Sequence, residues 1–207
     1  MFGPLRLSRV LLLYLSFVAG PASAATDIGK VDRVQCEARG TIDGATSALS
    51  VDATVFAGEA ISTGADARLA LTLADGTTLT LGERASLTLD DFIFRPAGET
   101  RFRASVVGAF RFVSGKLGPH AKRDAEVTTP VATIGVRGTD FWGGPINGEF
   151  GVVVLEGSVT VTTRGGTIVL RAAGQGTDIA GADTPPGQVK IWAKAKLDRA
   201  IATVTFR

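Results

Sequence analysis

The chain has 207 residues, with 22 Lys and Arg against 20 Asp and Glu, one histidine and one cysteine. That balance offers neither the basic face a nucleic-acid binder needs nor a polycationic patch for anionic lipid. One cysteine excludes an internal disulfide, and one His with one Cys argues against a zinc centre, which takes three or four such ligands. The length suits a single domain with a small appendage, large enough to bury a core without staples.

The first element in chain order is a processing signal. Arg6 and Arg9 precede an apolar run of about eleven residues, Val10–Gly20. A membrane-spanning helix needs about twenty. Ala22-Ser23-Ala24 then supplies the small-x-small pattern for a cut after Ala24. Residues 1–24 are therefore read as a signal peptide, and the mature chain as periplasmic or secreted with no transmembrane segment. Its removal leaves 20 basic and 20 acidic residues. Cys36 lies too far past the cut to be a lipid-attachment site.

Alternation of apolar and polar residues marks the strands that follow. Val31–Arg39 and Ala48–Phe56 form a first pair closed by Gly58, and Cys36, inside an alternating stretch, is expected to be buried. In Arg68–Leu73 the residues Leu69, Leu71 and Leu73 share one face. Asp75-Gly76 signals a hairpin, Leu79 and Leu81 resume the apolar face as far as Gly82, and Leu87 and Leu89 form a short third run. Arg95–Thr100 reads as a loop, Thr100–Val107 and Ala109–Val113 as strands, and Ser114–Asp124 as a polar surface connection. Phe150–Leu155 is a strand broken at Glu156-Gly157, followed by Ser158–Thr162, a turn at Arg164–Gly166, and Thr167–Leu170 closed before Gly174. Strands at intervals of about 8–12 residues indicate a sandwich, barrel or solenoid.

Asp183–Gly187 is a linker. Gln188–Ala202 reads as an amphipathic helix with Val189, Trp192, Leu197, Ala200 and Ile201 on one face, and is taken as a cap over an open β edge. The expected fold is all-β: a β-solenoid-like or jelly-roll/sandwich domain of short strands over residues 25–182, with a linker and short C-terminal helix over 183–207.

No catalytic apparatus is visible. His120 stands alone in a Gly/Pro/Lys loop, and a Cys36–His120 nucleophilic pair lacks an activating environment. Asp90-Asp91, Asp140, Glu149 and Glu156 are the carboxylate candidates, without the defined separation that glycoside hydrolysis requires. Trp142-Gly143-Gly144-Pro145 lacks the features of a phosphate cradle. The chain is thus read as a non-enzyme without cofactor or metal. Val136–Trp142 places an arginine, an aspartate and two aromatics around Gly138, and Arg137, Asp140 and Trp142 are the candidate partner-binding residues. The structural alternative makes Gly138 a bend, pairs Arg137 with a local carboxylate and sends Phe141 to the core.

The order of these pieces resembles the FecR domain. Gly58-Glu59-Ala60-Ile61-Ser62-Thr63-Gly64 corresponds to a Gly-acid-x-Ile-x-Thr-Gly element. Asp75-Gly76-Thr77, Leu79-Thr80-Leu81-Gly82 and Ser86–Leu89 follow in the family's sequence. Thr129–Phe141, including Thr129, Pro130, Gly138 and Thr139, matches its Thr-Pro-x-Ala-x-Ile-x-Val-Arg-Gly-Thr-x-Phe block without a gap. Val154–Val161 carries Leu-Glu-Gly-x-Val with Gly157, and Ala172–Gly174 the closing Ala-Gly. The likeness covers about residues 30–178.

The resemblance implies an extracytoplasmic β module which, in relatives, relays a signal from an outer-membrane receptor through an anti-sigma regulator. This sequence shows no cytoplasmic anti-sigma segment and no membrane helix before the domain, so direct anti-sigma activity is not expected. The expectation is a non-catalytic module for protein interaction or signal sensing. Its partner would be a cell-envelope protein met through strand edges or loops. The alternative is a structural or glycan-binding envelope protein. The oligomeric state stays open.

Overall fold

Sixteen strands and one helix form in a computed structural model that describes residues 26–95, 98–115 and 122–207. In chain order they are β1 (Asp27–Gln35), β2 (Ala38–Ile42), β3 (Ala45–Ala48), β4 (Thr54–Phe56), β5 (Ala60–Thr63), β6 (Arg68–Leu73), β7 (Thr78–Leu81), β8 (Ser86–Phe94), β9 (Glu99–Val107) and β10 (Phe110–Val113). After them come β11 (Lys122–Thr128), β12 (Thr133–Ile146), β13 (Glu149–Thr163), β14 (Gly166–Leu170), β15 (Gln175–Ile179), β16 (Lys190–Ile191) and α1 (Lys194–Ala202).

All the strands belong to one hydrogen-bonded sheet, and the long β12–β13 hairpin folds it into two leaves. The first half of β12 pairs with β11, its second half with β10, and β13 runs along its other side throughout. β13 divides in the same way between β14 and β15. One leaf therefore reads β3-β2-β5-β8-β9-β11-β12-β13-β14, and the other β4-β1-β6-β7-β10-β12-β13-β15-β16. β9 and β11 are parallel and the remaining pairs are antiparallel. The chain winds back and forth between the leaves as a solenoid does, but its pairing is that of a sandwich.

Alternation explains which face each strand buries. Leu69, Leu71, Leu79 and Leu81 of one leaf, with Ile61, Leu87, Phe102 and Val106 of the other, fill a common core and are at most 2% exposed. The leaves meet where Phe102 of β9 packs on Phe112 of β10, ring centroids 5.4 Å apart, and Phe112 stacks on Phe141 of β12 at 5.6 Å. Each such large side chain fully removed from water contributes about 1.5–3 kcal/mol.

Crossing between leaves demands a sharp corner, and a residue of positive φ stands at each of seven described crossings: Cys36 (57°), Asp52 (67°), Gly58 (78°), Asp66 (54°), Arg84 (48°), Gly108 (95°) and Gly174 (80°). These corners account for most departures from the sequence reading. Val31–Arg39 is two strands, because β1 joins β6 in one leaf and β2 joins β5 in the other. Cys36 at that corner is exposed, contrary to the expected burial. Ala48–Phe56 is likewise divided into the end of β3 and β4 by the turn at Asp52. β8 continues through Asp90 and Asp91 to Phe94, and β13 passes through Glu156-Gly157 without ending, both by means of register shifts. The polar connection read as Ser114–Asp124 is shorter, since β11 starts at Lys122. Residues 1–24 and His120 lie outside the described residues.

The C-terminal helix is shorter than expected, because Lys190–Ile191 is a strand beside β15 that leaves Val189 and Ile191 exposed. α1 has no side-chain N-cap and no acid in its first turn, so its order comes from packing rather than propensity. It covers a sheet face rather than an edge. Leu197, Ala200 and Ile201 join Trp142, Ile146, Val153 and Trp192 in a second cluster on the outer side of β12 and β13. Trp192 lies over bare backbone at Gly151 and Gly176, where a Cβ would collide with the indole. Lys196 sits 4.0 Å from the Trp192 ring centre and bonds both oxygens of Asp178. The chain then crosses to β1, where Phe206 stacks under Arg33 and the Arg207 amide donates to Gln35. Among the described residues no helix is long and apolar enough to cross a membrane.

Candidate functional site

The segment Val136–Trp142 forms the corner of the β12–β13 hairpin. Register shifts fall between Arg137 and Phe141, Gly138 has φ 61° and Gly157 opposite has φ 80°. A Cβ on Gly157 would run into the Gly138 carbonyl oxygen. Thr139 closes the bulge: its hydroxyl donates to the Ser158 carbonyl at 2.6 Å and accepts from the Ser158 amide at 3.3 Å. Its amide donates to the Ser114 hydroxyl and its carbonyl accepts from the Ser114 amide.

The structure separates the three candidates. Trp142 is wholly buried under the C-terminal segment, with its indole N–H on the Thr203 hydroxyl at 3.0 Å and its ring 6.1 Å from that of Trp192. It is therefore not an exposed anchor. The reason is that both faces of this stretch are covered, so Phe141 and Trp142, consecutive in sequence, are both 0% exposed. Asp140 forms a two-pronged pair with Arg111 at 2.9 and 2.6 Å, and that bond raises the Arg111 guanidinium above its ordinary pKa despite partial burial. Arg137 is exposed and has no side-chain partner among the described residues, so it does not pair with a local carboxylate.

One neighbour escaped the sequence reading. Arg137 is opposite Ser158 in the ladder, and the next pair is Val159 with Leu170, so Arg171 follows at the same level on β14's side. It too is exposed, and its guanidinium has no partner among the described residues. The signal was present in the alternation, since inward Leu170 sends Arg171 outward. β14 pairs only with β13, and Gly166–Leu170 contains no charge and no proline.

The other motif residues hold the backbone together. Thr63, 7% exposed, donates to the Gly82 carbonyl at 2.7 Å and accepts from the Ala85 amide at 2.9 Å, tying Ile61-Ser62-Thr63-Gly64 to the β7–β8 corner. Asp75 receives the Thr77 amide and hydroxyl across Gly76. Thr129 binds the Ala132 amide and carbonyl around Pro130 at the β11–β12 turn. Glu59 is buried beside Gly40 with its carboxylate on the Phe56 amide at 2.9 Å. Burial raises its pKa, and that hydrogen bond opposes the rise.

The carboxylate candidates are dispersed. Asp90 accepts from Ser105, Asp91 lies 3.6 Å from Arg101, Glu156 pairs in register with Asp140, and Glu149 opens β13. Among the described residues no three His, Cys, Asp or Glu side chains are grouped to hold a metal.

Comparison with known proteins agrees with this geometry. Residues 59–160 match the family model described as FecR protein. No curated protein matches the chain. Two crystal structures of a protein described as an anti-sigma factor from Parabacteroides distasonis ATCC 8503 are similar, with TM-scores of 0.56 and 0.55 at 17% identity. Each alignment covers 69% of this chain, which spans 64% and 63% of the two chains it matches. The matched family segment runs from the Glu59 corner to the strand after Gly157, and the chain is a FecR domain-containing protein.

Proposed function

We propose that this protein is a non-catalytic extracytoplasmic signalling module that docks a cell-envelope protein by strand addition at β14. The single observation that carries the reading is an open edge strand with the unpaired Arg171 at its end and the unpaired Arg137 two strands behind it on the same face. Natural proteins blunt sheet edges with charge, proline, shortness or bulges. β3, β4 and β16 are four, three and two residues long, whereas β14 has five residues with Thr167, Ile168 and Val169 at its centre and none of those protections. An added strand gains main-chain hydrogen bonds there, and Arg171 beside it selects an acidic side chain, with Arg137 adding positive charge to the face behind. The FecR match supports signalling as the purpose of that contact, and the signal-peptide pattern of residues 1–24 supports a place outside the inner membrane. A direct anti-sigma role is not part of this reading.

The test is charge reversal. In cross-linked envelopes, recovery of the partner with tagged Arg137→Glu/Arg171→Glu should fall about tenfold or more, within the range for truncated hot-spot residues. Equal recovery with wild type and the double variant contradicts the assignment.

A further inference from the structure

Arg68 is a buried cation without a counter-ion. It opens β6 one position before inward-facing Leu69, so it lies on the outer face of the β4–β16 leaf, yet it is only 5% exposed. Of its guanidinium nitrogens only Nη1 is bonded, to the Ala67 carbonyl at 2.6 Å. Nε is sealed from water with no partner, and Nη2 bonds nothing among the described residues. A charge held this way is costly, because neither water nor an opposite charge replaces its hydration. The C-terminal tail supplies the seal. On one side the Thr203 carbonyl oxygen comes within 2.9 Å of where a Cβ on Gly82 would stand, and Gly82 follows Leu81, the partner of Leu69. On the other side the Arg207 amide donates at 2.8 Å to Gln35, which faces Arg68 in the β1–β6 ladder. The tail therefore passes over the guanidinium between Thr203 and Arg207.

We infer that Arg68, with Arg33 beside it, is the receptor for an oxyanion, a phosphate or carboxylate group, and that the tail is the cover this ligand lifts. The site is on the leaf opposite to β14 and is independent of docking there. Charge selects the ligand. Arg33 is exposed, stands two residues before Gln35 on the same face and stacks on Phe206 of the tail at 4.4 Å. Arg207 is exposed and adds positive charge at the mouth. No carboxylate among the described residues pairs with any of the three arginines. The nearby acids are engaged elsewhere or turned away: Asp32 accepts from the Thr72 hydroxyl, Glu83 accepts from the Asp66 amide, and Asp66 is exposed at the corner. A guanidinium presents parallel N–H groups that match two oxygens of a carboxylate or phosphate. The cover is lightly held. Beyond α1 the tail has no main-chain bond to the sheet among the described residues, and its polar contacts there are with the side chains of Trp142, Arg33 and Gln35. Such a segment belongs to the low-stability end of a structure. Closed, the tail leaves the Arg68 charge uncompensated; lifted, it frees Nε and Nη2 for an anion, so the anion shifts the population toward the lifted form.

Tryptophan emission reports the cover, because Trp142 loses its Thr203 partner when the tail lifts. The experiment titrates the purified full chain with sodium phosphate and, separately, with sodium succinate, against sodium chloride of equal ionic strength. Wild type should show a saturable change of emission with at least one of the two and none with chloride. A response to phosphate alone assigns a phosphate ligand, and a response to succinate alone a carboxylate. Arg68→Met keeps an apolar stem and removes the charge. It should weaken the response about tenfold or more, as loss of an anchoring arginine does, and should raise the urea midpoint in chloride. Arg33→Gln changes an exposed residue and leaves the core intact, so it tests the site even if Arg68→Met does not fold; it should weaken the response about threefold, the scale of an exposed ion pair. The inference is overturned if wild type gives no saturable response to either anion or responds equally to chloride. It is equally overturned if both variants respond as wild type does, or if Arg68→Met unfolds at a lower urea midpoint than wild type.

Discussion

Glu59 is a carboxylate whose burial opposes its charge. Buried against Gly40, it has its pKa raised above the ordinary 4.5, while the Phe56 amide holds it partly in check. A folded-state pKa above the unfolded one means that the folded protein binds the proton more tightly. The group therefore costs stability at pH above its folded pKa, and that cost disappears as pH falls toward 4.5. Glu59→Gln keeps an acceptor for Phe56 and removes the charge. Its urea midpoint should exceed wild type at pH 7 and converge with it on acidification; a difference that does not change with pH contradicts this. Gly157 is constrained by its backbone conformation. Its φ of 80° and the Gly138 carbonyl in the path of any Cβ make Gly157→Ala costly by about 2–4 kcal/mol in urea unfolding. A loss below about 0.5 kcal/mol, the usual range for an ordinary surface change, would show that the corner relaxes freely.

Among the elements, the long hairpin and the C-terminal segment matter most to what the surface can do. The hairpin divides its partners between two leaves, and this places Arg137 and Arg171 on one open face while turning Trp142 to the other side. The C-terminal segment shuts that second face. Its helix is only nine residues long, below the length at which an isolated helix is stable in water, so Trp192 against Trp142 and the glycine floor supplies much of its attachment. Trp192→Ala should destabilise the chain by about 3–5 kcal/mol, the usual cost of removing a buried tryptophan, and should move Trp142 fluorescence to longer wavelength as water reaches it. Unchanged emission would mean that the segment stays seated without Trp192.

At the scale of the whole molecule, most strands could be read directly from alternation. Leu69, Leu71 and Leu73 alternate with Ala70 and Thr72, and Asp75-Gly76 marks the following turn. The corners were hidden because four of the seven use Cys36, Asp52, Asp66 and Arg84 rather than glycine. Nothing local distinguishes an alternating strand from one that bends between leaves at such a residue. The β15 strand was missed because Gln175–Ile179 has little apolar alternation and gains its place only from β13. The candidate site was half legible. Arg137 was identified, but the burial of Trp142 depends on the distant segment that carries Trp192, Ala200 and Val204. Its indole donates to Thr203, 61 positions further along the chain.

What holds the domain together is thus distinct from what it presents. The FecR motif residues close corners and turns, and β14, which ends at Arg171, leaves its outer edge unpaired. The most direct test is a photo-crosslinking amino acid placed at Val169 on β14, compared with the same group at Thr54 on β4, in intact cells. Docking by strand addition predicts an adduct with one envelope protein from Val169 and none of that protein from Thr54. No adduct from Val169, or the same adducts from both positions, would contradict it.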